Sequence, residues 1–166
     1  MTSTIKRILV PTDFSVYSDT AIHYAADLAG HFGATLELIH IVEDPFLSGA
    51  WSAEGFIAGA DNLLEEVTES AKIRLASVAA ALAARGIVAE VSVATGPPSA
   101  GIVERARDGG FELIIMGTHG RTGLSHVVLG SVAERVQRTA PCAVLTVKTD
   151  NKQTSLVPEV CFSATA

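Results

Sequence analysis

Five short, largely apolar runs alternate along this chain with segments whose apolar residues recur every three or four positions, and few folds accept that alternation. The runs are 7–12 (RILVPT), 35–42 (TLELIHIV), 87–94 (IVAEVSVA), 113–116 (LIIM) and Ala143–Val147. Each has the length and β-branched content of a strand. The first helical segment carries Ile22, Ala25, Ala26, Ala29 and Phe32 on one side, with Ser18 as its expected N-cap and Gly33 as a left-handed exit. Leu64, Val67, Ala71, Leu75, Val78 and Leu82 form the inward stripe of a long second helix that ends at Gly86. A third helix over 99–108 turns Ile102, Val103 and Ala106 inward and stops at Gly109 and Gly110. The fourth opens at Gly130 and Ser131, where Ser131 and Glu134 have capping-box spacing, and ends before Pro141. Strands alternating with helices in this way specify an α/β protein with parallel strands, right-handed crossovers and helices on both faces of one sheet. Near-continuous apolar strands agree, because such strands are covered on both sides.

Length and charge narrow the function. The chain has 166 residues, 48% of them hydrophobic, enough for one core without disulfide or metal staples. A single domain over 1–148 with a polar tail over 149–166 is expected. The formal net charge of −6 argues against nucleic acid or anionic lipid as a broad partner, though not against a local phosphate pocket. Cys142 and Cys161 stand alone, with no CxxC or Cys/His pairing, so neither a disulfide framework nor a zinc site is expected. The longest apolar stretch, 78–84, falls far short of the ~20 residues that cross a bilayer, and 1–6 is polar. The expectation is a cytoplasmic protein without membrane contact.

In an open parallel sheet, ligands bind beyond the carboxyl ends of the strands, where the strand order reverses. Three segments fall at such ends: Pro11, Thr12 and Asp13; Val42 with Glu43; and the loop from Gly117 to Gly123. In that loop Gly117, Gly120 and Gly123 remove the Cβ atoms that hold a ligand away from backbone, and Gly130 and Ser131 then open a helix whose free N–H groups and dipole favour phosphate. Taken alone, the same glycines also serve as turn formers and Ser131 as a cap. There is no GxxxxGK[ST] and no GxGxxG after the first strand, so the familiar kinase-type and dehydrogenase motifs are missing. No Ser or Cys pairs with a His and an acid at recognisable spacing, and His23, His31 and His40 read as structural.

Gly117-x2-Gly120-x9-Gly130-Ser131, preceded by LIIMG and combined with the N-terminal ILVPTDFS, resembles the ATP-binding branch of the universal stress protein family over nearly all of the chain except its tail. The resemblance implies a doubly wound, open five-stranded sheet of order 3-2-1-4-5 and a site made by Pro11, Thr12, Asp13, Val42, Met116, Gly117, His119, Gly120, Arg121, Gly130, Ser131 and Val132. Asp13 would meet the adenosine half, the Val42 backbone the adenine edge, Gly117 and Gly120 the ribose and phosphates, and Gly130 with Ser131 the phosphate clamp. Asp13 also reads as a loop cap for Ser15. His119 and Arg121 could pair with phosphate or be solvated. The implied ligand is ATP, with or without Mg2+, and the implied role a nucleotide-dependent sensor or regulator with unidentified protein partners. An ATPase or nucleotidyl-transferring enzyme and a nucleotide-free interaction module are the alternatives.

The last strand carries no charge before Lys148, an edge that calls for cover, and the resemblance likewise implies a two-fold homodimer through Ala143–Val147. The connection 43–60 leaves the same rim with Phe46, Trp51 and Phe56. Two readings stay open for it, a cover over a bound base and packing on the second helix.

Overall fold

The computed structural model describes residues 5–43, 60–119 and 129–149. The elements are β1 (Arg7–Pro11), α1 (Val16–Phe32), β2 (Thr35–Val42), α2 (Ala60–Ala83), β3 (Ala89–Thr95), α3 (Pro98–Asp108), β4 (Leu113–Gly117), α4 (Ser131–Thr139) and β5 (Ala143–Val147). The strands form one parallel sheet in the order β3-β2-β1-β4-β5. The expected class and strand order are both found.

Period-two alternation divides the core between the faces. Ile8, Val10, Leu36, Leu38 and Ile115 pack against Ala21, Ile22, Ala25 and Ala26 of α1 and Leu75, Val78 and Leu82 of α2. Leu9, Ile39, Ile41, Ile114 and Met116 pack on the other face against Ile102, Val103 and Ala106 of α3 and Ala133 and Val136 of α4. Alanines on α1 let its backbone lie close to the sheet, and each fully buried Leu or Ile contributes about 1.5–3 kcal/mol. Gly33 takes φ 64 and its N–H bonds the Ala29 carbonyl, the left-handed exit expected of it.

Several local expectations are corrected. Helix α1 begins earlier than Ser18, because Ser15 takes the extended cap conformation and accepts from the Ser18 N–H. Ser18 is buried instead, its hydroxyl donating to the Ser15 carbonyl and accepting from Thr12 Oγ1. Ser131 is the first residue of α4 rather than its cap; Gly130 caps the helix and no side-chain cap hydrogen bond forms, so there is no capping box. On α2 only the stripe from Ala71 onward is buried, while Val67 is 43% exposed. The reason is length: 24 helical residues reach ~36 Å, whereas the eight of β2 span ~26 Å, so the start of α2 overhangs the carboxyl rim. Strand β3 runs over Ala89–Thr95 rather than 87–94, leaving Val88 exposed at the sheet edge. The aromatic segment with Phe46, Trp51 and Phe56, and the tail beyond Thr149, lie outside the described residues.

Candidate functional site

The carboxyl ends of β1 and β4, adjacent in the sheet, meet the amino end of α4. Pro11 and Thr12 close β1 and are buried, with Asp13 half-buried behind them. Thr12 N–H still pairs with the Ile39 carbonyl at 2.9 Å, so the chain leaves the sheet only at Asp13. The Asp13 carboxylate then takes two hydrogen bonds from Ser15, from its N–H at 3.1 Å and its hydroxyl at 2.6 Å. The loop-cap reading of Asp13 is therefore found, with Oδ1 in that role. Phe14 follows with φ 61, a left-handed conformation that costs a bulky residue ~1–3 kcal/mol and persists only where the surroundings impose it.

On β4, Met116 is buried and Gly117 ends the strand. A Cβ on Gly117 would stand 2.9 Å from the Tyr17 carbonyl oxygen, so the glycine is demanded first by the approach of α1 to β4. Sequence reasoning assigned this glycine to a ligand and missed the structural demand, which no spacing reveals. Thr118, buried and also missed, ties three elements: its N–H donates to Val147, its carbonyl accepts the Gly130 N–H at 2.7 Å, and its hydroxyl meets His119 Nδ1 at 3.0 Å. The His119 ring lies 5.5 Å from that of Tyr17. A Cβ on Gly130 would sit 3.1 Å from the Thr118 carbonyl oxygen.

That contact fixes where α4 starts. Gly130 has no side chain to satisfy the first N–H groups, Ser131 is exposed and Val132 half-buried beside it. The first turn of a helix leaves such N–H groups without intrahelical acceptors, and the dipole places positive potential there, so the arrangement suits an anion. Gly120 and Arg121 lie outside the described residues. Val42 is buried at the end of β2, one strand from Asp13, and its carbonyl already accepts the Gly96 N–H at 2.9 Å. A second acceptor lone pair remains on that oxygen.

Nothing in the described residues groups three or more His, Cys, Asp or Glu side chains for a metal ion, and no described helix is long and apolar enough to cross a membrane. Two further features were not read from spacing. One is an ion pair between buried Glu37 and partly exposed Arg105 on the α3 face, away from the rim. The other is a contact chain in which the Phe14 ring meets the His40 imidazole and the Arg74 guanidinium, one residue from Asp13. His40 is structural, as expected, but its bond goes to that turn: Nδ1 meets the Thr12 carbonyl at 2.7 Å.

Known proteins share this architecture. The chain is 37% identical over 149 residues to universal stress protein MJ0531 of Methanocaldococcus jannaschii, covering 89% of this chain and 85% of that protein. It is 31% identical over 156 residues to MJ0577 of the same organism, covering 88% and 96%. The solved structure of MJ0577 superposes with a TM-score of 0.77 over 89% of this chain and 99% of that one. A universal stress protein of Archaeoglobus fulgidus, solved in complex with dAMP, shares the fold at 21% identity and a TM-score of 0.59, covering 87% and 99% of the two chains. Residues 4–148 match the universal stress protein family as a whole, and with two relatives above 30% identity over most of both chains, this chain belongs to that family.

Proposed function

We propose that the chain binds an adenine nucleotide, ATP, across the carboxyl ends of β1 and β4 and serves in the cytoplasm as a nucleotide-dependent sensor or regulator in stress response. The observation that carries this reading is the side-chain-free start of α4, held by the Gly130–Thr118 hydrogen bond at 2.7 Å beside the end of β4. Backbone N–H groups of Ser131 and Val132 would take the phosphates, with Gly120, His119 and Arg121 on the connecting loop. Pro11, Thr12, Asp13, Met116, Gly117 and the Val42 backbone would frame the nucleoside, Asp13 accepting from hydroxyl or amino groups. A Mg2+ ion would travel with the phosphates and keep several of its own waters. A fold neighbour solved with dAMP is in keeping with this ligand class. The exposed edge of β5 would form a two-fold homodimer, through which nucleotide state could reach protein partners.

A side chain at Gly130 would press on the Thr118 carbonyl, so the test is better placed on Ser131. Ser131 is exposed at the first position of α4, where a carboxylate is favourable to the helix but repels phosphate. Ser131→Asp should keep or slightly raise Tm while weakening ATP at least tenfold by calorimetry, because it adds a like charge within a few ångströms of the ligand. Unchanged affinity would remove the helix start from the site. Nucleotide released from denatured protein identifies the bound species, and steady-state turnover separates a binder from an ATPase.

A further inference from the structure

Thr12 closes β1 and carries the turn that bears Asp13. Its N–H donates to Ile39 at 2.9 Å, its hydroxyl donates to Ser18 Oγ at 2.9 Å and accepts the Phe14 N–H at 3.0 Å, and its carbonyl meets His40 Nδ1 at 2.7 Å. A carbonyl only accepts, so Nδ1 carries the proton in this pair. Two residues on, Phe14 holds φ 61 and projects its ring against the same imidazole, centroids 4.6 Å apart. The Arg74 guanidinium of α2 lies over that ring, 3.9 Å from its centroid.

Close packing holds this arrangement on one side only, where Phe14 packs against the core between the sheet and α1 and α2. A cleft of about 290 Å3 opens between the turn and the overhanging start of α2, lined by Phe14, His40, Val67, Ser70, Ala71 and Arg74 among others. A wall that borders open volume loses the contacts that would otherwise fix its position. The hydrogen bond from His40 and the cation–π contact from Arg74 then join the bonds of Thr12 to Ile39 and Ser18 and of Asp13 to Ser15 in setting where the turn stands. His40 is only 8% exposed and shares the α2-facing side of β2 with Leu36 and Leu38, so its backbone is as rigid as the sheet. It transmits that rigidity to Thr12.

We propose that His40 is a positioning residue: through the Thr12 carbonyl, and with Phe14 and Arg74 as its support, it holds the Asp13 turn in the conformation that receives the nucleotide. The proposal rests on the nucleotide-binding reading for its ligand, and on the hydrogen bonds above for its mechanism.

The test compares wild type with His40→Asn, His40→Leu and Arg74→Leu by amide hydrogen exchange in nucleotide-free protein and by ATP titration calorimetry. Asn returns an N–H donor close to the place of Nδ1; Leu fills space without one. His40→Leu should speed exchange at the Phe14 and Ser15 amides about tenfold and weaken ATP by a similar factor, the effect of losing one buried hydrogen bond. His40→Asn should restore both, and Arg74→Leu, at a half-buried helix position, should loosen the same amides in a protein that still folds even if His40→Leu does not. Exchange unchanged in both Leu variants, or equally fast in His40→Asn and His40→Leu, overturns the positioning role. Faster exchange with unaltered ATP affinity overturns its link to the ligand. A wild-type protein that binds no ATP refutes the nucleotide reading itself, separately from the exchange result.

Discussion

Glu37 offers a demanding test of the energetics, because its carboxylate is 2% exposed in the middle of a sheet strand. Arg105 reaches it from α3 with two parallel bonds, Nε to Oε1 and Nη2 to Oε2, both 2.6 Å, and Ser92 Oγ adds a third at 2.7 Å. Arg7 Nη2 stands 3.8 Å away. Burial alone would push the carboxyl above its ordinary 4.5, but the hydrogen bonds of Arg105 and Ser92 and the charges of Arg105 and Arg7 outweigh it and hold it below. Glu37→Gln keeps the volume and one acceptor but turns a donor toward the guanidinium. Removing one partner of a fully buried pair costs ~3–5 kcal/mol, yet the Arg105 side chain is 38% exposed and can recover hydration, so ~2–3 kcal/mol is expected, or roughly 5–10 °C in Tm. Arg105→Leu should cost more, since it strands the charge that cannot reach water. The double variant Glu37→Leu with Arg105→Leu should recover most of either loss. The pH dependence has a defined sign. A depressed folded pKa makes the contribution complete above the ordinary 4.5 and lost as pH falls through the lower folded value, so the urea-unfolding gap between wild type and Glu37→Gln should narrow as pH falls below 4.5. A gap below ~0.5 kcal/mol at pH 7, or Arg105→Leu milder than Glu37→Gln, refutes this reasoning.

Other outcomes follow from the same geometry. Gly30 sits within α1, where an added Cβ would meet nothing within 4 Å beyond its own helix, so Gly30→Ala should stabilise by ~0.5–1 kcal/mol in thermal unfolding. Gly117→Ala should instead cost ~1–3 kcal/mol, because its Cβ meets backbone at 2.9 Å. On the β5 edge Leu145 is 39% exposed, whereas Val147 is buried and Val144 packs on the α4 face; if β5 forms the proposed dimer, Leu145→Lys is therefore the substitution that should dissociate it in light scattering while leaving the monomer folded. Burial first and the Glu112 charge second raise the Cys142 thiol, so in a Cys161→Ser background it should react with Ellman's reagent more slowly than free cysteine, and faster after Glu112→Gln.

How much of this was legible in the sequence depends on how far apart the interacting residues lie. Strands β2 and β5 were found with their observed ends, since a run of β-branched residues and a flanking Gly or Pro are local signals. The start of α1 was missed by a turn because the cap depends on Asp13 folding back onto Ser15, a side-chain capture that two nearby serines do not distinguish in one dimension. Glu37 is a charge inside an apolar run, which the strand reading passed over, and its partner lies 68 residues away on another element, where nothing local names it.

The site shows the same division more sharply. The spacing of Gly117, Gly120, Gly130 and Ser131 was readable as a phosphate pattern, yet spacing does not say which glycine answers to a ligand and which to a neighbouring backbone. The structure separates two of them: Gly117 meets Tyr17, a demand of packing, and Gly130 meets Thr118, a demand of the turn that aims α4. His40 was legible only as a structural histidine, with no partner named. Its consequence lies in a 2.7 Å bond to Thr12, 28 residues earlier, and that bond exists because β1 and β2 are paired in register with Pro11 beside Ile39. Sheet register, which sequence periodicity leaves undetermined, is what turns a structural histidine into a support for the turn that carries Asp13.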